Sequence, residues 1–504
     1  MSVILVRNHN FITYENDIRA LLQSFFPGEE IRCCGCGEEA LIDVDAICLN
    51  VCRSAERFTD KSAVKLALYR YLQQLTGRDL PWGTLTGIRP VRIVEMMEAK
   101  GLDGEAARRK IREMFAVSEE KLDLMFAIHE REQDVLERLD GYRDGYSIYI
   151  NIPFCPTRCL YCSFTSNPIE LWESRVEEYM EAMRRELVQV RELCSKKLQT
   201  VYIGGGTPTA LSAHELDKLL TMTEEVFGKE KTDEEHTGTL PRIGVREFTV
   251  ESGRPDSITA EKLAVMKKHG VDRISINPQT MHQKTLDLIG RRHTVEQTIK
   301  AYELARNMGF DNINMDLIMG LPGEDLADVR QTLREIMRLR PDSLTVHALA
   351  VKRSSRLSTE GRAWGADGTG RKGQDAESGA EAGAMIRLGA ETAAALGLEP
   401  YYLYRQKNMA GNQDNVGYAL PGKESIYNIL MMEEKHTVIG VGAGASTKLI
   451  SYAQPEENTD EETAAGTGLK KTVRRFENIK NIGDYLARID ELLDKKKAFL
   501  GGER

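Results

Sequence analysis

Residues 147–162 read SIYINIPFCPTRCLYC, a β-branched apolar run that breaks at Pro153 into a loop carrying three cysteines. It is the first of six runs of one kind. TVYIGG (200–205), REFTVES (246–252), DRISIN (272–277), NINMDLI (312–318) and SLTVHAL (343–349) follow, each trailed by a helical stretch. Strands alternating with helices predict βα units around a parallel sheet. Runs this continuously apolar predict strands covered on both faces. Six units specify an α/β fold, a partial (β/α)6 TIM-like barrel over residues 145–352.

Working outward, residues 1–140 open with a strand-like SVILVRN and the helical ENDIRALLQSFF. A second strand near ALIDVDAICLNV and the helix KSAVKLALYRYLQQL, apolar at spacings of three and four, come next. Helical stretches at 104–116 and 118–139 complete an N-terminal α/β domain of unknown role. Within it, WGTLTGIRP (Trp82–Pro90) reads as a Gly-punctuated loop entering a helix. Residues 353–383 are rich in Gly, Ser and charge and read as a flexible linker or insertion. Residues 384–504 hold a helix (AMIRLGAETAAALGL), a Tyr-rich segment, a Gly-rich strand and turn, and a charged closing helix. They read as a smaller α+β domain.

The 504 residues are 41% hydrophobic and 29% charged, the profile of a globular chain and not of a disordered or membrane-spanning one. Net charge is −9, so nucleic acid is not an expected partner. The apolar run in MSVILVRNHN is too short for a signal peptide. No stretch approaches the roughly 18–20 apolar residues that span a bilayer. A cytoplasmic location with no membrane partner is therefore expected, where thiols stay reduced.

That leaves nine cysteines to explain. Cys155, Cys159 and Cys162 form a CxxxCxxC loop directly after the first barrel strand. A zinc site calls for four ligands, usually as two separated pairs. A redox dithiol uses only Cys159 and Cys162. Three thiolates on one tight loop suit a [4Fe–4S] cluster with one iron left open for a ligand. A loop that is merely cysteine-rich is the plain alternative, since buried free cysteines are common. Cys33, Cys34, Cys36, Cys48 and Cys52 lack paired CxxC spacing and read as structural or incidental.

YINIPFCPTRCLYC resembles the cluster loop of the radical S-adenosylmethionine superfamily. More narrowly it is similar to the branch of oxygen-independent coproporphyrinogen III dehydrogenases (HemZ-type) and haem chaperones. The resemblance implies S-adenosylmethionine on the open iron and a 5′-deoxyadenosyl radical made from it. In a βα barrel, chemistry sits at the C-terminal strand ends, and the likeness continues there. GGGTP (Gly204–Pro208), with Gly205, Gly206 and Thr207, resembles the segment that binds the methionine amino group. Glu251 resembles the carboxylate that contacts the cofactor's ribose or amine. Gln279, Arg291 and Asp316 match the family's cofactor-binding glutamine, arginine and aspartate, and Tyr149 a tyrosine close to the cluster. Phe164 joins this set, standing where better-studied dehydrogenases carry a further cysteine; Asn151 stands where they have a histidine. His347 has no motif behind it and reads as structural.

WGTLTGIRP and the stretch from Tyr401 to Glu434 look like the HemZ-type dehydrogenases, and VIGVGAGAST (438–447) like their C-terminal domain, which covers the barrel mouth. The implied reaction is oxidative decarboxylation of two propionates of coproporphyrinogen III, giving protoporphyrinogen IX. The implied partners are a tetrapyrrole substrate and an electron donor such as flavodoxin or ferredoxin. Arg405, Lys407, Asn408 and Asn412 are candidates for the substrate's carboxylates. A haem chaperone and another tetrapyrrole-modifying radical enzyme are the alternatives.

Overall fold

The computed structural model describes residues 3–7, 14–26, 30–34, 48–50, 61–86, 89–139, 141–164, 166–228, 243–351, 355–357, 376–406, 409, 412–453 and 470–501. Cys36, Cys52, Lys407 and Asn408 lie outside them, as do the side chains of Cys33, Cys34 and Cys48.

Strands β1 (Val3–Arg7), β2 (Glu30–Cys34) and β3 (Cys48–Asn50) pair in parallel, in the order β2-β1-β3. Helices Glu15–Phe25 and Lys61–Thr76 bury Ile18, Leu21, Leu22, Phe25, Leu68 and Leu72 in a small core of their own. Helices Arg92–Ala99, Gly104–Phe115 and Glu119–Glu137 instead share the main core with the barrel.

The main sheet begins with β4 (Gly145–Ile152), which runs into a two-residue ribbon, β5 (Phe154–Cys155) with β6 (Asn167–Pro168). β7 (Lys197–Gly205), β8 (Glu247–Glu251), β9 (Arg273–Ser275), β10 (Ile313–Met319) and β11 (Ser343–Ala348) complete the six strands expected from sequence. The C-terminal segment adds β12 (Glu399–Tyr404), β13 (Asn415–Ala419), β14 (Thr437–Val441), β15 (Ser446–Ala453) and β16 (Lys470–Glu477). The eleven strands lie in the order β12-β13-β11-β10-β9-β8-β7-β4-β14-β15-β16.

Two features differ from the sequence reading. The barrel gains a seventh parallel strand, because the fully buried TVIGV of β14 pairs with β4 in register, Thr437 opposite Tyr146. The described C-terminal strands therefore extend the barrel sheet from both edges, where the sequence predicts a separate domain. The expected linker also ends early. Residues 376–383, AESGAEAG, are the first turns of helix Ala376–Ala395, in keeping with the helix propensity of Ala and Glu.

The outer helices begin where side chains satisfy free backbone N–H groups. Ser212 with Glu215, Thr294 with Gln297 and Asp325 with Asp328 form capping boxes at helices Ala213–Phe227, Val295–Asn307 and Leu326–Leu339. Each helix then packs its apolar face onto the sheet, which leaves the C-terminal strand ends and their loops to carry function. Among the described residues, no helix is long and apolar enough to cross a membrane.

Candidate functional site

Past their first residues the barrel strands are almost wholly buried, and a set of polar side chains breaks that pattern. Tyr149 in β4, Tyr202 in β7, Glu251 in β8, Asp316 in β10, His347 in β11 and Tyr404 in β12 are each partly exposed between buried neighbours. They lie from the middle of the strand (Asp316, Tyr149) to its C-terminal end (Glu251, Tyr404), so solvent reaches the interior from that side.

The cysteine loop closes over this end, and its backbone is firmly held. Leu160 N donates to Ile289 O (2.9 Å) and Leu357 N to Leu160 O (2.8 Å). Thr157 Oγ1 donates to Gly290 O (3.1 Å), while Arg254 Nη1 reaches Thr157 O (3.1 Å). Cys155 Sγ lies 3.4 Å from Thr207 Oγ1 and Cys162 Sγ 3.7 Å from Ser166 Oγ. Burial pushes the Cys155 thiol up to about 11 and raises Cys162 too. Among the described residues no three His, Cys, Asp or Glu side chains converge on one point as a single metal ion requires. A four-iron cluster spreads its thiolates over separate irons and needs no such convergence.

The glycine turn after β7 is dictated by close approach. Gly205 adopts φ +107°, and a Cβ there would lie 1.9 Å from Asn151 Oδ1; one on Gly206 would lie 2.4 Å from Phe154 O. Asn151 is itself committed. Its Nδ2 donates to Ala443 O (2.5 Å) and its Oδ1 accepts from Tyr149 OH (3.1 Å). It ties β4 to the turn after β14.

Two carboxylates share the interior. Burial, helped by the neighbouring Asp316 charge, raises Glu251 to about 7 against hydrogen bonds from Tyr202 OH (2.6 Å) and Gly205 N. Burial also raises Asp316, but His347, Asn314 and Thr345 outweigh it, and the net shift is downward. Asn314 Nδ2 donates to Asp316 Oδ1 (2.7 Å), and His347 Nε2 stands 3.9 Å from Asp316 Oδ2. His347 Nδ1 is 3.3 Å from Tyr404 OH, so this histidine belongs to the polar interior and not to the plain framework. Gln279 adopts φ +67°, is 8% exposed, and its Oε1 is buried without a hydrogen-bond partner.

Raising a carboxyl pKa means the folded state holds the proton more tightly than the unfolded chain. Glu251 therefore costs stability as pH climbs from about 4.5 to about 7. Glu251→Gln keeps the acceptor for Tyr202 and removes the charge. Its ligand-free form is expected to match the parent near pH 4.5 and to exceed it by on the order of 2 kcal/mol above pH 7. Urea unfolding at both pH values checks this.

Arg291 is placed differently from a free carboxylate clamp. Nη2 donates to Gly253 O (2.7 Å) and Asn277 O (2.6 Å), and Nη1 to Tyr161 OH (3.2 Å). Three of its five N–H donors are thus committed, and Nε is buried and unbonded. Arg291 thus braces the cysteine loop through Tyr161. Phe164 is 66% exposed. Sequence reasoning missed Tyr202, Asn277 and Tyr427, although a period of two counted back from Gly204 or on from Ser275 reaches the first two. Tyr427, whose ring stacks 4.4 Å from that of Tyr202, had no such signal.

A family model described as the radical SAM superfamily matches residues 149–336, from the first barrel strand to the helix after β10. The oxygen-independent coproporphyrinogen-III oxidase-like protein HemZ of Bacillus subtilis is 39% identical over 444 residues, 87% of this chain and 81% of its own. The chain belongs to the HemZ family of radical SAM proteins. The haem chaperone HemW of Bacillus subtilis is 36% identical over 207 residues; that match spans 41% of this chain and about half (51%) of HemW. The solved structure of Escherichia coli coproporphyrinogen III oxidase (HemN) superposes with a TM-score of 0.51 at 19% identity, over 72% of this chain and 73% of that one, which supports the barrel fold alone.

Membership of the radical SAM family implies S-adenosylmethionine and a [4Fe–4S] cluster. The residues present fit both. Three cysteines stand on one braced loop, and Gln279 leaves a buried acceptor unsatisfied, which is costly unless a ligand meets it.

Proposed function

We propose that the chain converts coproporphyrinogen III to protoporphyrinogen IX without oxygen, by oxidative decarboxylation of two propionate side chains. The observation that carries this reading is the likeness to HemZ along 87% of the chain. It extends well beyond the superfamily core, and the C-terminal segment supplies Tyr404 and Tyr427 to the interior. The matches to haem chaperones are shorter, 41% of the chain for that of Bacillus subtilis and 60% for that of Lactococcus lactis.

Cys155, Cys159 and Cys162 hold the cluster. Gly205–Thr207, Glu251, Gln279 and Asp316 hold S-adenosylmethionine at the strand ends, with Tyr149 beside them. When bound, the two groups would supply a 5′-deoxyadenosyl radical able to take a β-hydrogen from a propionate; the substrate radical would then release CO₂ and pass one electron to a separate one-electron acceptor, leaving the vinyl group. The protein's part is positioning and shielding. Arg254 and Arg291 brace the cysteine loop, and Asn151 fixes the glycine turn. A low-potential donor such as flavodoxin or ferredoxin provides the reducing electron.

Anaerobic incubation of the reconstituted chain with coproporphyrinogen III, S-adenosylmethionine and a reductant is expected to yield the divinyl product together with 5′-deoxyadenosine. Tight haem binding with no vinyl product would overturn this reading in favour of a haem chaperone.

A further inference from the structure

The stretch Trp82–Thr86 is not used by the site above, yet it is built with care. Gly83 adopts φ +52°, and a Cβ there would overlap Phe115 O, so only glycine allows the turn. Trp82 is fully buried and its Nε1 donates to Asp414 Oδ2 (2.8 Å). Lys121 Nζ pairs with the same oxygen at 2.7 Å. Arg405 stacks over the Trp82 ring at 5.1 Å and gives its guanidinium to carbonyls, those of Leu85, Asn412 and Gln413, and to Asn412 Oδ1.

The charges here do not balance. Asp414 Oδ2 is shared by Lys121 and Trp82 while its Oδ1 is buried without a hydrogen bond, and its charge supports the Arg405 guanidinium against burial; among the described residues no salt bridge joins Lys65 to a carboxylate. Lys65 is 8% exposed and its Nζ meets only the Thr86 hydroxyl, at 3.0 Å. Burial, opposed by Asp17 and reinforced by Lys61 and Arg405, lowers its pKa to about 8. Asn412 adopts φ +54°, its Oδ1 takes Arg405, and its Nδ2 is buried without a partner. Both groups border the Leu85–Thr86 segment, Lys65 directly and Asn412 through Arg405, and a buried ammonium without a salt bridge and a buried amide donor without an acceptor are each costly unless an anion meets them.

The cluster stands at the functional end of the barrel. Arg405 directly follows Tyr404, whose hydroxyl reaches His347 (3.3 Å), and Asn415, next to Asp414, accepts from Ala348 N at the end of β11 (3.0 Å).

We infer that Lys65 Nζ and Asn412 Nδ2, set in place by Arg405 and Trp82, form a subsite for a carboxylate of the substrate remote from the reacting carbon. This rests on the tetrapyrrole reading, since a macrocycle with four carboxylates around its rim necessarily points some of them away from the one that reacts. The N-terminal domain thereby contributes to substrate selection.

Lys65→Met keeps the length of the side chain and removes its charge, and relieving a buried unpaired ammonium does not threaten the fold. With the reconstituted full chain, coproporphyrin III binding is expected to weaken about tenfold, roughly 1.4 kcal/mol. The uncharged tetramethyl ester should bind parent and variant alike, and Lys65→Arg should retain most of the affinity for the acid. Equal affinity of parent and Lys65→Met for coproporphyrin III would overturn the subsite, as would an equal loss for the ester. A parent that binds the acid through Lys65 but makes no vinyl product would keep the subsite and overturn the decarboxylase reading. Vinyl product from a parent whose affinity ignores Lys65 would do the reverse.

Discussion

Cys159→Ala is expected to lower reconstituted iron well below about four per chain and to cut 5′-deoxyadenosine formation by about three orders of magnitude or more, over 4 kcal/mol in barrier. The size follows from the absence of a substitute ligand: among the cysteines whose side chains are described, the one outside the loop is Cys194, at the end of helix Val176–Leu193. The loop itself should survive. Its backbone is pinned by Ile289 and by Arg254 at Thr157, and Tyr161 by Arg291, none of which touches the Cys159 sulfur. Thermal unfolding of the iron-free form should therefore change little. Cys194→Ala is the control and should keep both iron and activity. A Cys159→Ala variant with a full cluster spectrum would contradict the ligand assignment.

The second large effect is on stability. Lys496, in the closing helix Ile489–Gly501, is fully buried, and its Nζ bonds Glu186 Oε1 at 2.6 Å as well as Gly440 O. Glu186, also fully buried, accepts from Asn478 Nδ2 (2.7 Å), Gly442 N (2.9 Å) and Tyr485 OH (2.8 Å). The pair thus clamps the closing helix to helix Val176–Leu193 and fixes the turn after β14, whose Ala443 O receives Asn151. Removing one partner leaves a buried charge alone, and such losses run to about 3–5 kcal/mol. Lys496→Met should fall in that range. The double variant Glu186→Gln with Lys496→Met leaves no lone charge and should recover much of the loss. Urea titration of both variants checks this, and a double variant no more stable than Lys496→Met would show that the charge is not the cause.

The barrel was legible because its code is local. Each of the six runs from SIYINI to SLTVHAL became a strand within three residues of the expected bounds at either end, since β-branched apolar runs between helical stretches have few other solutions. The three cysteines and the glycine turn were legible for the same reason: their chemistry sits in contiguous residues. What the sequence hid depends on pairing over long separations. β14 became a seventh parallel strand only by meeting β4, 291 residues earlier, Thr437 opposite Tyr146. Arg291 looked like a carboxylate clamp, but its bonds to Gly253, Asn277 and Tyr161 come from three other segments. His347 looked like framework because its partners come from other strands, Asp316 from the adjacent β10 and Tyr404 from β12, beyond β13. Helical propensity in AESGAEAG was masked by the glycine-rich company it keeps.

The central claim is that the open end of this barrel carries out radical decarboxylation of a propionate. Coproporphyrinogen III deuterated at the propionate β-carbons tests it most directly, in an anaerobic reaction with S-adenosylmethionine and a reductant. The expected result is deuterium in the 5′-deoxyadenosine, with CO₂ and vinyl product rising together. Unlabelled 5′-deoxyadenosine beside unchanged substrate would contradict it.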